Sequence, residues 1–465
     1  MVMGELAQET EVLVIGGGPG GYAAAFRAAD LGLDVTMVDT APRPGGVCLF
    51  RGCIPSKTLL HLTELINDAR NAENLGVTFA APRIDLDAVG KWKGKVIDRL
   101  ASGLESLSEK RGVQRIQGRA VFEASNRARV YDSEVSRIKF RYAILATGSH
   151  ATPLPGTDFS AGSRIMSSAG ALALTDIPQS LLVIGGGYVG LELGSVYASL
   201  GSQVTMVELG DRLLPGVDSD LLDPLNRKLQ EIFKTIHLNT RVVGLKEYED
   251  RVDVTLQGQT DITEQSFDRA LIAIGLENTK IEINNQGFVI VDDQQRTADE
   301  RIFAVGDVAG GLLLAHKATR EGKVAAEVIA GKPSAFDVRA IPAVVFTDPQ
   351  IAWCGLTETE ARERNIAVSV HRFPWKFSGR AVTMDAVAGL TKIIIDPETE
   401  RILGMGITGR NAEAMISEGV LAVEMGALAS DVALTMHPHP TLSETEGEAA
   451  EIFLGSATHI LSRKQ

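Results

Sequence analysis

Apolar positions along the chain fall into short runs set off by glycine, and two stretches repeat the same series of runs. Residues 11–43 read EVLVIGGGPGGYAAAFRAADLGLDVTMVDTAPR, and residues 180–212 read SLLVIGGGYVGLELGSVYASLGSQVTMVELGDR. Laid over each other without a gap, they share fifteen of thirty-three positions. Each has a short apolar run, Val12–Ile15 and Leu181–Ile184, which predicts a strand, the first starting at Glu11. A glycine cluster follows, then a helical stretch, then a β-branched run ending in an acid. The predicted order, strand–turn–helix–strand, is that of a mononucleotide-binding unit, made twice. A further helical pattern runs from Ile54 through Leu59, Leu60, Leu62, Leu65 and Ile66, so that Cys48 and Cys53 are expected on one early turn of a helix.

The glycines sharpen this reading. Gly16, Gly18 and Gly21, with Gly20 beside them, and Gly185, Gly187 and Gly190 both fit G-x-G-x-x-G. In that motif the first glycine makes a tight turn and the second lets backbone approach a pyrophosphate. The third lets helix and strand pack closely. The pyrophosphate rests on the helix N-terminus, where free N–H groups and the helix dipole favour an anion. Asp39 and Glu208 each stand 23 residues beyond the first glycine of their copy. A carboxylate there bonds ribose hydroxyls and repels a 2′-phosphate, so the second site is expected to favour NAD over NADP. A single Gly-rich turn could be structural only; two copies with strand, helix and acid in place point to two dinucleotides. Two dinucleotides in one chain point to a flavoenzyme that passes electrons between FAD and a nicotinamide.

Composition narrows the class. At 465 residues the chain is long enough for about three domains, and 47 glycines fit a fold with many tight turns. A net charge of −13 argues against a nucleic-acid partner, which needs a basic face. No apolar run approaches the ~18 residues that span a bilayer. Met1 to Thr10 has neither a basic nor an apolar leader segment, so no targeting peptide is expected and a cytoplasmic location is. Three cysteines make no disulfide scaffold for such a chain, and inside a cell they are expected to stay reduced unless they do redox work.

Cys48 and Cys53 lie in GGVCLFRGCIPSK, four residues apart, and the third cysteine, Cys354, is far away. That excludes a zinc pattern, and no metal site is expected. Near a helix N-terminus the dipole favours thiolate, as thiol–disulfide exchange requires; two buried structural cysteines are the alternative. CLFRGCIPSK is similar to the active-disulfide segment of the FAD-dependent pyridine nucleotide–disulfide oxidoreductases, and IPSK leans toward their dihydrolipoyl dehydrogenase branch. The likeness runs through ATGS (Ala146–Ser149), AVGDV (Ala304–Val308), LAHKA (Leu314–Ala318), FTDPQIAWCGLT (Phe346–Thr357) and HPHPTLSE (His437–Glu444), in family order.

The resemblance implies an α/β fold with two Rossmann-like domains and an α+β C-terminal dimerisation domain. The expected divisions are an FAD domain over 1–150, an NAD domain over 151–270, a central segment over 271–340 that completes the flavin site, and an interface domain over 341–465. It implies that Cys53 lies against the flavin and Cys48 exchanges with substrate. Lys57 matches the lysine beside flavin N5, and Glu192 its acidic partner. Asp307 matches the aspartate on the ribityl chain, and Ala315 a backbone contact to the isoalloxazine. Ala120, Thr147 and Gly148 are further FAD contacts, and Val242 and Gly275 join Glu208 and the second glycine set on the nicotinamide side. His439 matches the C-terminal base and Glu444 the group orienting it, with His437 a structural neighbour. The resemblance further implies a homodimer sharing its site across subunits. The expected partner is a lipoyl-bearing acyltransferase or a glycine-cleavage carrier protein.

The chain departs from the family at Phe50 and Arg51, between the cysteines, where relatives carry Asn and an aliphatic. Gly275–Thr279 lacks the family arginine, and the stretch to Gly287 is short. Rival activities lack their marks. Glutathione reductases carry a PKK-like segment and a basic NADP site, mercuric reductases a C-terminal cysteine pair, and flavin transhydrogenases no C-x4-C. A silent flavin-binding subunit would not need Cys48, Cys53, His439 and Glu444.

Overall fold

The computed structural model describes residues 7–260, 262–273 and 287–461. Its first sheet is built on the strand Ala7–Ile15, which begins four residues before the expected Glu11 because Ala7 to Thr10 pair with Arg137 to Phe140. In parallel order the sheet runs Gln114–Gln117, Val35–Asp39, Ala7–Ile15, Arg137–Leu145. The far edge of Arg137–Leu145 is divided: its start pairs antiparallel with Arg127–Tyr131, and its end pairs parallel with Ile302–Ala304. A strand from past residue 300 thus completes a sheet begun at residue 7. The helix Ala315–Ile329 comes with it and packs on Pro19–Asp30, burying Ala24, Ala25 and Ala28 with Val324, Ala325 and Val328.

The second sheet repeats the arrangement, with parallel strands ordered Thr235–His237, Gln203–Val207, Ser180–Ile184, Arg269–Ile272, Ile165–Met166. An antiparallel layer, Thr240–Glu247, Val252–Gly258 and Glu264–Phe267, covers one face and shares a core with Ile184, Val207 and Ile272. The C-terminal part is different in kind. Five antiparallel strands, ordered Ala343–Val345, Gln350–Gly355, Ile402–Gly409, Leu390–Ile395, Ser369–Pro374, carry the helices Ala412–Met425 and Glu444–Leu454. Two parallel α/β units and an antiparallel α+β unit make the fold class the sequence predicts. Among the described residues no helix is long and apolar enough to cross a membrane.

An ion cluster, buried at Asp218 and Lys392 and half-buried around them, ties the second unit to the third. Asp218, ahead of the helix Ser219–Ile232, accepts from the Lys392 ammonium at 2.6 Å and from the Glu358 and Thr359 N–H groups at 3.0 Å. Asp220 accepts from Lys392 at 2.7 Å, and Arg372 pairs with both Asp220 and Glu358. The Asp218, Asp220 and Glu358 oxygens lie within 4.8 Å of one another, and Lys392, 1% exposed, is their shared cation.

Candidate active site

The two glycine loops fold alike. Gly16 and Gly185 take φ of 106° and 109°. A Cβ on Gly21 would stand 1.8 Å from the Gly16 carbonyl oxygen, and one on Gly190 2.1 Å from that of Gly185. Only glycine lets each helix press on its loop in this way. The acids close the loops: Asp39 accepts from the Gly17 and Ala41 N–H groups, the latter at 2.7 Å, and Glu208 from those of Gly186 and Gly210, both at 2.6 Å. The helices Pro19–Asp30 and Tyr188–Leu200 begin without a side-chain cap, which leaves their first amides to an anion. Gly20 lies against the helix Ala315–Ile329, where a Cβ on Gly322 would meet its carbonyl oxygen at 2.3 Å. Beside Asp39 is a recess lined by Met37, Ala41, Arg43, Ile116 and Gln117.

Asp307 sits on the single turn Gly306–Ala309 and accepts from the Ser149 hydroxyl at 2.5 Å. Both ends of the turn are held by one helix. Glu321 accepts from the Gly306 N–H at 2.7 Å, and Lys317 donates to the Gly310 carbonyl at 2.8 Å. Lys317 and Glu321 are themselves paired at 2.6 Å and buried. Ala315 is the first residue of that helix, whose start is also uncapped, and Gly148 is in left-handed backbone at φ 67°. Ala120 lies on Arg119–Ala124, opposite Val130. Val242 lies at a bulge in Thr240–Glu247 and packs on the Ile184–Val207 core. Gly275 and most of the shortened stretch that follows it lie outside the described residues.

Cys48 and Cys53 are joined as a disulfide, with Cα atoms 4.7 Å apart. They do not share one helix, as the periodicity predicts. Cys48 is in the short helix Gly46–Arg51, and Cys53 opens Cys53–Asn71, with Gly52 between them. At Gly52 a Cβ would stand 3.0 Å from the Val47 carbonyl oxygen, a tight approach that glycine avoids. Only Cys53 therefore sits at the N-terminus of a long helix, where the dipole stabilises a thiolate. Behind it, Leu59 and Ile66 are buried as expected, while Leu65 faces outward.

One turn on, Lys57 donates to both oxygens of Glu192, at 2.9 and 3.1 Å. Glu192, 3% exposed on Tyr188–Leu200, also accepts from the Ser56 hydroxyl at 2.9 Å and the Phe346 N–H at 3.1 Å. The Lys57 ammonium lies 4.3 Å from the Phe346 ring centre. Such full hydrogen bonding offsets the cost of burying the carboxylate. Ser56 and Phe346 escaped the sequence reading, although both fall inside segments that carried the family resemblance.

At the other end of the chain, His439 is 72% exposed, and its Nδ1 lies 2.8 Å from Glu444. Burial pushes the Glu444 carboxyl up, but the Thr441 N–H, at 2.8 Å, and the His439 ring outweigh it and hold it below the usual range. A lasting carboxylate on Nδ1 leaves Nε2 as the nitrogen that exchanges protons. His437 is enclosed: its Nε2 lies 2.9 Å from Glu418, and its ring lies close against Gly447.

Comparisons with known proteins place the chain in a family. Residues 10–322 match the family described as pyridine nucleotide-disulphide oxidoreductase, and residues 341–450 match that family's dimerisation domain. The chain is 42% identical over 467 residues to the dihydrolipoyl dehydrogenase of Vibrio parahaemolyticus, with 98% of each covered. It is 42% identical over 478 residues to that of Haloferax volcanii, with 100% of each covered. Among solved structures, LpdA from Mycobacterium tuberculosis superposes with a TM-score of 0.88 at 27% identity, covering 96% of this chain and 99% of that one. The HOCl-induced flavoprotein disulfide reductase RclA from Escherichia coli gives 0.83 at 26%, covering 95% and 99%. With one family description spanning both glycine loops and the disulfide, and a second the C-terminal sheet, the chain belongs to the pyridine nucleotide-disulphide oxidoreductases.

Proposed function

We propose that this protein is a dihydrolipoyl dehydrogenase, a flavoenzyme that reoxidises dihydrolipoamide to lipoamide and reduces NAD⁺. The observation that carries the reading is the Cys48–Cys53 disulfide at the head of a helix whose Lys57 is fixed by Glu192. The described residues fit FAD. The first glycine loop and the uncapped start of Pro19–Asp30 suit its pyrophosphate, and Asp39 with the adjoining recess suits the adenosine end. Asp307, held by Ser149 and by the Lys317–Glu321 clamp, suits the ribityl chain, with Ala120, Thr147, Gly148 and Ala315 as further contacts. The second loop, Glu208 and Val242 suit NAD. When bound, FAD supplies two-electron acceptance from a thiolate and hydride transfer to NAD⁺.

The chain's own residues do the thiol chemistry. His439, oriented by Glu444, takes a proton from one dihydrolipoamide thiol at Nε2. The resulting thiolate attacks the Cys48 sulfur; a mixed disulfide forms, the Cys48–Cys53 bond breaks, and Cys53 leaves as a thiolate. The second substrate thiol attacks the substrate sulfur of the mixed disulfide, and its proton passes to the leaving Cys48 sulfur. Lipoamide closes and Cys48 is released, so the two electrons lost by the substrate lie on the cysteine pair. The helix dipole at Cys53 keeps that sulfur ionised, and Lys57 adds positive charge one turn away. The family's dimerisation domain at residues 341–450 carries His439, and by resemblance to that family we assign the base to one subunit of a homodimer and the disulfide to its partner. The lipoyl group arrives on an acyltransferase or a glycine-cleavage carrier protein, in the cytoplasm.

Anaerobic titration with dihydrolipoamide tests the reading. At two electrons a long-wavelength thiolate-to-flavin band should develop and should disappear in Cys53→Ser. Cys48→Ser should keep a Cys53 thiolate able to colour the flavin, yet abolish lipoamide exchange. A flavin that reduces without the band, or identical spectra from the two variants, would overturn the assignment.

A further inference from the structure

Two residues beyond Glu444, on the same helix, Glu446 is 0% exposed. Neither of its carboxylate oxygens has a hydrogen-bond partner among the described residues. It stands among the packed residues of the C-terminal unit: Thr445 before it bonds Thr391 at 2.7 Å, and Ala449 and Ala450 after it are fully buried in the apolar core. A carboxylate without a partner in such surroundings is far costlier than the neutral acid.

The charges around it do not help. Glu418, on Ala412–Met425, is a second acid bearing on Glu446, and the buried Cys354 thiol of Gln350–Gly355 is pushed up to about 12 by burial, with Glu446 adding to the rise. Cations on the packed elements are engaged elsewhere. His437 is on Glu418, Lys392 of Leu390–Ile395 on Asp218 and Asp220, and Arg372 of Ser369–Pro374 on Asp220 and Glu358. His371 packs edge-on to Phe453, and Asp431 of Ala429–Leu434 accepts from the Leu428 N–H. On its own helix, Glu448 is paired with His459, and Glu451 is another acid, raised by burial.

We propose that Glu446 is a positioning residue that sets an alkaline limit on the thiol half-reaction: its helix is packed around a neutral acid, and loss of that proton loosens the helix that places Glu444 and, through it, His439. The inference rests on the reading of His439 and Glu444 as the base pair. Burial, with Glu418 adding, raises the Glu446 carboxyl to about 9. The folded protein therefore holds a proton that the unfolded chain releases above its ordinary value of 4.5. The stability this proton represents is complete below 4.5 and drains as pH rises toward 9.

The test compares the FAD-loaded wild type with Glu446→Gln. Dihydrolipoamide–NAD⁺ turnover of the wild type should fall with a midpoint near pH 9, while NADH–ferricyanide turnover holds. Glu446→Gln, which cannot ionise, should remove that fall. The melting-temperature difference between the two should widen in favour of the variant as pH rises from about 4.5. If Glu446→Gln does not fold, Glu446→Leu serves the same comparison. Superimposable alkaline limbs, or a melting difference independent of pH, would overturn the proposal. Absence of lipoamide turnover at every pH would overturn the assigned activity instead, and the melting series would still decide Glu446.

Discussion

Two histidines two residues apart have opposite surroundings. Glu418 raises His437 above the ordinary imidazole range by bonding its Nε2, which fixes a proton in an enclosed place. His439 offers an exposed ring with a carboxylate on Nδ1. His439→Ala should lower dihydrolipoamide oxidation by about 10²–10⁴-fold, the usual worth of a positioned general base. NADH–ferricyanide turnover should survive, and His437→Ala should cost far less; steady-state assays with bound flavin measured in parallel decide it. Glu208 supports a second prediction at this scale. Both its oxygens already accept backbone N–H groups at the edge of the second loop, so a 2′-phosphate would meet a fixed negative charge. NAD⁺ should exceed NADP⁺ at least tenfold in kcat/KM, about 1.4 kcal/mol, and equal efficiencies would refute it.

At the level of elements, one helix builds much of the turn that we assign to the flavin. Lys317 and Glu321 grip the two ends of Gly306–Ala309 from a single face of Ala315–Ile329. Lys317→Met removes one grip and leaves Glu321 buried without its cation, so FAD should dissociate at least tenfold more readily, read by the recovery of free-flavin fluorescence on dilution; unchanged retention would rule out the clamp. Little of this clamp was legible in the sequence. The βαβ units were, because buried strand, glycine loop and terminal acid are local patterns, and the 11–43 and 180–212 repeats state them twice. The break at Gly52 was not, since a periodic apolar pattern does not register a single glycine that turns the chain between two helices. Ser56, Phe346 and Glu446 were missed for another reason. What each does depends on a neighbour brought up from far along the chain, and no spacing records that.

For the molecule as a whole, the Asp218–Lys392–Glu358 cluster joins the second nucleotide unit to the C-terminal unit. Lys392→Met would leave buried Asp218 without its cation, with Arg372 remaining on Asp220 and Glu358, and should cost about 3–5 kcal/mol, the range for breaking a buried pair, measured by denaturant unfolding. Burial pushes the Asp218 carboxyl up, but Lys392 and Thr359 outweigh it and hold it at about 2. Its contribution is therefore complete above the ordinary 3.8 and lost as pH falls toward 2, so the variant should lack the acid-limb loss of stability that the wild type shows there. The first sheet has a consequence for how the protein is made. Its strand Arg137–Leu145 waits for Ile302–Ala304, and the helix Pro19–Asp30 waits for Ala315–Ile329, whereas the strands of the second sheet among the described residues all lie between 165 and 272. On a ribosome adding about 5–20 residues per second, the earlier unit stays open for roughly 10–30 s while the later one closes. The nascent chain thus carries the bare alanine face of its first helix, and an incomplete first sheet, until the sequence past residue 329 has emerged; the part translated first is finished only after the second unit has closed.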